Sequence, residues 1–253
     1  MYPIIEEGTN MQTENVNRFR VEKNDALNFL KNIESESVGA VVADPPYCTH
    51  PQYAATGHYE CGDGIVGDNK DAHTNYMFMR RWMSECYRIL KPGCRLFVFC
   101  DKFNIFLTQS AGVEECFKYG GFITWCKTIS RPAKMRFSKS CEYALEFYKG
   151  DFKIPSDKYP KDYHVESAPA GKERVHQTQK PVELIKKLLT FTPENGLVVD
   201  PFCGSGSTGV AALALGFRFM GSDLSDKCVE VSTRRCSEAA EKFEEKAEDD
   251  TVA

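Results

Sequence analysis

The chain has 253 residues, 42% hydrophobic and 27% charged, with a net charge of −4. That is the composition of a globular protein with a proper core, and one large domain is expected because no linker divides it. No stretch approaches the ~18 apolar residues of a membrane span, and MYPIIEEGTN has no basic region followed by an apolar one, so a cytoplasmic protein without membrane attachment is expected. Eleven scattered cysteines, odd in number and without a CxxC pair, read as buried free thiols. The five histidines do not cluster with them, and no metal site is expected.

Residues 1–17 are polar and irregular and read as a loose tail. RFRVEKNDALNFL gives a short strand, a loop at Asn24-Asp25 and the start of a helix. GAVVAD is a continuous apolar run ending in an acid, the pattern of a strand buried on both faces of a parallel sheet. From Cys48 to Asn75 the pattern dissolves into Gly, His, Asp, Thr and Tyr. So long a structureless loop suggests an active-site lid, with Tyr53, Tyr59 and Tyr76 as its aromatics. YMFMRRWMSECYRILKPG has helical spacing and stops at Pro92-Gly93. CRLFVFC is the next buried strand. NIFLTQSAGVEECFKYGG reads as a helix ended by Gly120-Gly121, and FITWCKTI and EYALEFYKG as strands.

Between those strands, Lys127 to Lys139 carries five basic residues and no acid. Residues 150–175 are polar and aperiodic. PVELIKKLLTFT is a helix opened by Pro181. GLVVDPF is a buried strand, followed by a glycine loop, the helix TGVAALALG and the strand FRFMGSDL. A long helix from Ser225 towards Lys246 precedes an acidic tail, 247–253. Strands alternating with helices, several continuously apolar, specify an α/β domain with a mainly parallel sheet, here over 18–246. Ligands of such sheets sit at the carboxyl ends of the strands, where DPPY, DPFCGSGSTG and SDL all fall.

Gly204, Gly206 and Gly209 have the spacing GxGxxG, between a strand and a helix, with Asp223 at the end of the next strand. Glycines permit close backbone approach and the carboxylate suits two sugar hydroxyls, so a ligand containing ribose is implied. A Walker-type loop is excluded because no GK[ST] follows. The glycines alone leave the nucleoside open, and a nicotinamide-dependent oxidoreductase shares the spacing.

DPFCGSGSTG, preceded by HQTQKP at His176–Pro181 and far upstream by DPPY at Asp44–Tyr47, resembles the S-adenosylmethionine-dependent DNA amino-methyltransferases. The likeness runs from about Arg18 to the helix after Asp223, and the motif order is similar to that of the circularly permuted beta class. The resemblance implies a Rossmann-like, seven-stranded, mainly parallel sheet with one antiparallel strand near the edge and a small recognition insertion. It implies S-adenosylmethionine as cofactor. Asp200, Phe202, Gly204, Ser205 and Gly206 would line its methionine and ribose part, and Gln177, Thr178 and Lys180 its methionine end. Asp223 would hold the ribose hydroxyls, and Asp25, otherwise a helix cap, the adenine amino group. Substituting Gly206 is expected to lose cofactor affinity first.

DPPY then has a chemical reading. An exocyclic amino group is a poor nucleophile because its lone pair is delocalised into the ring. Acceptors must hold its hydrogens while the electrophile lies in line. Asp44 and the Pro45 carbonyl can be those acceptors, Pro45 and Pro46 stiffen the turn, and Tyr47 offers a face on which a base stacks for ~1–3 kcal/mol. The base must first leave the duplex. Lys127, Arg131, Lys134, Arg136 and Lys139 are candidate phosphate contacts, and 127–139 with 150–175 the candidate recognition segments. The expected reaction is adenine N6 methylation of DNA, since in related enzymes DPPY accompanies adenine. Cytosine N4 or RNA as target, and a non-catalytic DNA-binding protein, are the alternatives. The short recognition part suggests a homodimer.

Overall fold

The computed structural model describes residues 18–47, 71–130, 134–135, 137–151 and 159–252. Eight strands form one sheet: β1 (Phe19–Lys23), β2 (Val38–Ala43), β3 (Leu90–Cys100), β4 (Lys118–Cys126), β5 (Cys141–Tyr148), β6 (Tyr163–Val165), β7 (Leu197–Asp200) and β8 (Arg218–Asp223). Their spatial order is β1-β8-β7-β2-β3-β5-β4-β6. Neighbours are parallel from β1 across to β3, β5 runs antiparallel to both β3 and β4, and β6 pairs parallel with β4. The helices are α1 (Ala26–Lys31), α2 (Ala72–Ile89), α3 (Ile105–Glu114), α4 (Val182–Leu188), α5 (Ser207–Ala214) and α6 (Asp226–Val252).

β2 is buried at every position, VGAVVA, because it lies mid-sheet with apolar layers on both faces. One layer gathers Phe29, Leu30, Trp82, Met83, Ile89 and Phe147 with Val41. The other gathers Leu184, Ile185, Ala211, Ala212 and Phe219 with Val42. Burying a side chain of that size contributes ~1.5–3 kcal/mol, so these two layers fix the order of the strands and with it the positions of the loops at their ends.

Several boundaries differ from the sequence reading. The eighth strand, β6, lies in the polar segment 150–175; its three residues Tyr163–Val165 are too few to show a period. The antiparallel strand β5 is third from one edge, with β4 and the short β6 outside it. α2 begins at Ala72 with Asp71 as its cap, accepting from the His73 and Thr74 amides at 3.0 Å, so the last four residues of the expected lid are helical, and Tyr76 packs on the core. Residues 48–70, with Tyr53 and Tyr59, lie outside the described residues. α2 ends at Ile89, and Pro92-Gly93 belong to the irregular start of β3. Gly120-Gly121 mark a bulge inside β4. α3 is stopped earlier, by Cys116 at φ 68, where the Phe117 amide donates to the Gly112 carbonyl and the Cys116 amide to that of Val113. α6 continues through the expected acidic tail to Val252, because Glu, Lys and Ala are good helix formers. Among the described residues no helix is long and apolar enough to cross a membrane.

Candidate active site

Four adjacent parallel strands, β1-β8-β7-β2, send the loops after their carboxyl ends to one edge of the sheet. In that order the loops carry Asp25, Asp223, Asp200–Gly206 and Asp44–Tyr47. Lys23 pairs with Asp223 across β1 and β8, and the Asn24 amide donates to the Asp223 carbonyl at 3.1 Å. Motifs more than 150 positions apart are neighbours here because parallel strands put their carboxyl ends together.

The glycine loop is held from within. Asp200 is buried; its Oδ1 accepts from the Phe202 amide at 2.9 Å and its Oδ2 from the Thr208 hydroxyl at 2.6 Å. Burial lifts its carboxyl to about 7 against the lowering effect of those two bonds. Asp200 therefore braces the loop. The Phe202 ring packs edge-on against Trp82 and Phe78, at 5.4 and 6.1 Å between centroids. Ser205 is buried, and its carbonyl accepts from Arg235 on α6.

Gly206 has φ 77, and a Cβ there would lie 2.7 Å from Ser232 Cβ and 2.9 Å from Ser232 Cα. Its bareness makes room for α6, so a side chain there would meet Ser232 as well as any ligand of the loop. Gly204 differs: a Cβ would meet nothing nearer than the Phe202 carbonyl at 3.9 Å. Its amide donates to Asp223 Oδ2 at 3.0 Å, while Asp223 Oδ1 accepts from the Ser225 amide at 2.9 Å. Asp25 is the cap of α1, its Oδ1 accepting from the Leu27 and Asn28 amides at 3.0 and 3.3 Å.

Asp44 follows β2 directly. The Tyr47 hydroxyl donates to its Oδ1 at 2.7 Å, and the Lys180 ammonium, 136 positions away, donates to its Oδ2. Pro45 is buried and Pro46 partly so. Asn104 Nδ2 donates to the Tyr47 carbonyl at 3.1 Å and to Asp101 Oδ1 at 2.9 Å, tying the DPPY turn to the loop after β3. Burial, with the Asp44 and Glu142 carboxylates next, pushes the Tyr47 phenol well above its ordinary value.

HQTQKP is a turn pinned by Gln179, whose Oε1 accepts from the Val175 amide at 2.9 Å and whose Nε2 donates to the Glu173 carbonyl at 3.0 Å. Thr178 is exposed beside His176, and the Gln177 carbonyl accepts from Arg174. Lys180 departs from the sequence assignment. Its side chain, 5% exposed, points to Asp44 and lies 3.4 Å from Glu142 Oε2 rather than standing free for a ligand carboxylate. Burial pulls its ammonium down, and the Asp44 and Glu142 charges more than offset that, leaving its pKa raised.

Among the expected phosphate contacts, Lys127 is turned inward instead: it pairs with Glu142 and stands 4.7 Å over the Trp125 ring. Glu142 is a carboxylate close by that can hold it. Lys134 and Lys139 are exposed, with Lys139 5.2 Å from the Phe103 ring. Arg131 and Arg136 lie outside the described residues. The sequence reading missed Glu142, Asn104 and Arg235. A charged residue opening an apolar strand was the available signal for Glu142. Among the described residues no group of three or more His, Cys, Asp or Glu could hold a metal ion.

This arrangement offers an anchored carboxylate and a flat ring at the tip of one strand, beside a glycine loop and two acids at the tips of the next two. A family model described as a DNA methylase matches residues 38–234. The chain is 30% identical over 241 residues to the type II methyltransferase M2.LlaDCHI of Lactococcus lactis subsp. cremoris, covering 85% of this chain and 88% of that one. It is 29% identical over 246 residues to M2.DpnII of Streptococcus pneumoniae, covering 87% and 90%. Two solved structures share the fold. The M1.HpyAVI–SAM complex has a TM-score of 0.66 at 20% identity, covering 86% of this chain and 98% of that one. The cytosine-N4-specific PvuII DNA methyltransferase has 0.70 at 16%, covering 89% and 92%.

Proposed function

Because the chain belongs to the DNA methylase family whose model spans residues 38–234, we propose that it transfers the methyl group of S-adenosylmethionine to N6 of an adenine flipped out of DNA. The observation that carries this reading is the convergence of Asp44–Tyr47 and the glycine loop on adjacent parallel strands, β2 and β7. The residues present fit the cofactor. Gly204 leaves open space above the loop, and Asp223, fixed by two backbone amides, keeps lone pairs for a ribose diol. Asp25 takes its capping bonds on Oδ1, so its carboxylate can cap α1 and accept from a purine amino group. When bound, the cofactor supplies the electrophilic methyl group.

Asp44 and the Pro45 carbonyl accept the two amino hydrogens, which turns the nitrogen lone pair towards the methyl donor. Each carboxylate oxygen has a second lone pair beyond its contact with Tyr47 or Lys180. The positive charge that develops on nitrogen faces the Asp44 carboxylate, which Lys180 holds in place. No strong general base is required, because the proton leaves a cationic nitrogen. Tyr47, held by Asn104, supplies the stacking face. Flipping costs a few kcal/mol; exposed Lys134 and Lys139 contact phosphates nearby.

Adenine rather than cytosine is supported by the aspartate opening DPPY, which accompanies adenine in the enzymes this chain resembles. Mass spectrometry of nucleosides from DNA and RNA treated with the protein should yield N6-methyladenine from DNA. N4-methylcytosine, or a product from RNA alone, would overturn the choice of target. The short recognition part and the exposed Phe103, Phe106 and Val113 around α3 support a homodimer, for which sedimentation must give twice the chain mass.

A further inference from the structure

Glu142 belongs to none of the motifs above. It stands near the start of β5, and because β5 runs antiparallel to β3, that start lies at the same sheet edge as the carboxyl ends of β2 and β3. Its Oε1 pairs with Lys127, and its Oε2, buried without a hydrogen bond, lies 3.4 Å from the Lys180 ammonium. Lys180 continues to Asp44, whose other oxygen accepts from Tyr47. Lys127, Glu142, Lys180 and Asp44 thus form a row of alternating charge that ends at the tip of β2, with Lys180 its most buried member.

We propose that Glu142 is a positioning residue for methyl transfer, keeping the Lys180 ammonium seated against Asp44 so that the carboxylate stays oriented towards the target nitrogen. The inference rests on the reading that Asp44 grips the target nitrogen. A buried ammonium needs compensation. When Asp44 must accept from the target base as well as from Lys180, the second carboxylate keeps Lys180 compensated. The 5% exposure of the Lys180 side chain, with the Phe99 ring 5.0 Å away, leaves water little part in this.

The groups that face Lys180 are Asp44 and Tyr47 after β2, the Phe99 ring on β3, Glu142 on β5 and the Thr178 carbonyl, which accepts from its ammonium at 3.3 Å. Its pKa is raised: burial works against the charge, and Asp44 and then Glu142 outweigh it. Removing Glu142 lowers the proton affinity of Lys180, so activity should be lost at lower pH on the alkaline side.

The test is single-turnover methyl transfer to DNA against pH for the wild type, Glu142→Gln and Glu142→Asp. Cofactor binding is followed by calorimetry and the Lys180 Nζ titration by NMR. Glu142→Gln should bind S-adenosylmethionine within about 2-fold of wild type, lose about 10–100-fold in rate, and lose its alkaline limb about one pH unit or more earlier. Glu142→Asp should restore the limb. In a Lys180→Met background, Glu142→Gln should add nothing. A rate loss without movement of the limb or of the Lys180 titration is what a merely structural role gives, and it would overturn the proposal. A wild type that methylates no DNA would refute the DNA reading alone; the Lys180 titration would still decide whether Glu142 governs its charge. Should Glu142→Gln not fold, Lys127→Met is the second arm: the limb should stay or rise, and a fall contradicts the proposal.

Discussion

An alanine at Gly206 should damage the fold, whereas an alanine at Gly204 should mainly damage ligand binding. Both glycines have positive φ, 77 and 48, so each alanine incurs ~1–2 kcal/mol of left-handed strain. Only at Gly206 does the new methyl also meet backbone, 2.9 Å from Ser232 Cα on α6. Neither the loop nor the helix can yield without disturbing the Arg235 bond to the Ser205 carbonyl, and overpacking of this kind adds ~1–3 kcal/mol. The total at Gly206 is ~2–5 kcal/mol, which for a chain of this size lowers Tm by ~4–20 °C. At Gly204 the strain alone gives ~2–8 °C, but the methyl enters the open space above the loop and should weaken S-adenosylmethionine at least about 10-fold, or ~1.4 kcal/mol. Scanning calorimetry and isothermal titration of both variants separate the two effects. Equal destabilisation, or Gly204→Ala binding the cofactor like wild type, would refute the reasoning.

Asp200 contributes a pH dependence. With its carboxyl at about 7 when folded and near ~3.9 when unfolded, the folded state holds the extra proton between those values. Stability from this group therefore falls as pH rises and levels off above 7. Between pH 6 and 8 the loss is about 1 kcal/mol, and urea titrations of Asp200→Asn should lack it; an unchanged pH slope would contradict the assignment. Replacing exposed Lys134 and Lys139 together by alanine should weaken DNA binding across sequences and reduce the salt slope by ~2. A slope equal to wild type in fluorescence anisotropy would remove them from the interface.

The ends of the parallel strands were readable because a buried strand needs only an apolar run, and the loops after GAVVAD, GLVVD and FRFMGSD carry their chemistry in the next few residues. Turn glycines were less readable. Gly120-Gly121 mark a bulge inside β4, while the chain turned out of α3 at Cys116, a residue type with no preference for positive φ. Glu142 could not be placed without knowing that β5 runs antiparallel, since strand direction leaves no trace in composition. Lys180 and Lys127 were read by their motif or their charged neighbours, and tertiary pairing with Asp44 and Glu142 turned both inward. Asp25 was legible either as a cap or as a ligand contact, and its capping bonds leave room for both.

The most direct test of the central claim is Asp44→Ala assayed for S-adenosylmethionine binding and for N6-methyladenine formed in a single turnover. The expected result is cofactor affinity close to wild type with methyl transfer reduced by at least about 10²-fold. Methyl transfer at the wild-type rate would contradict the claim that this carboxylate holds the target nitrogen.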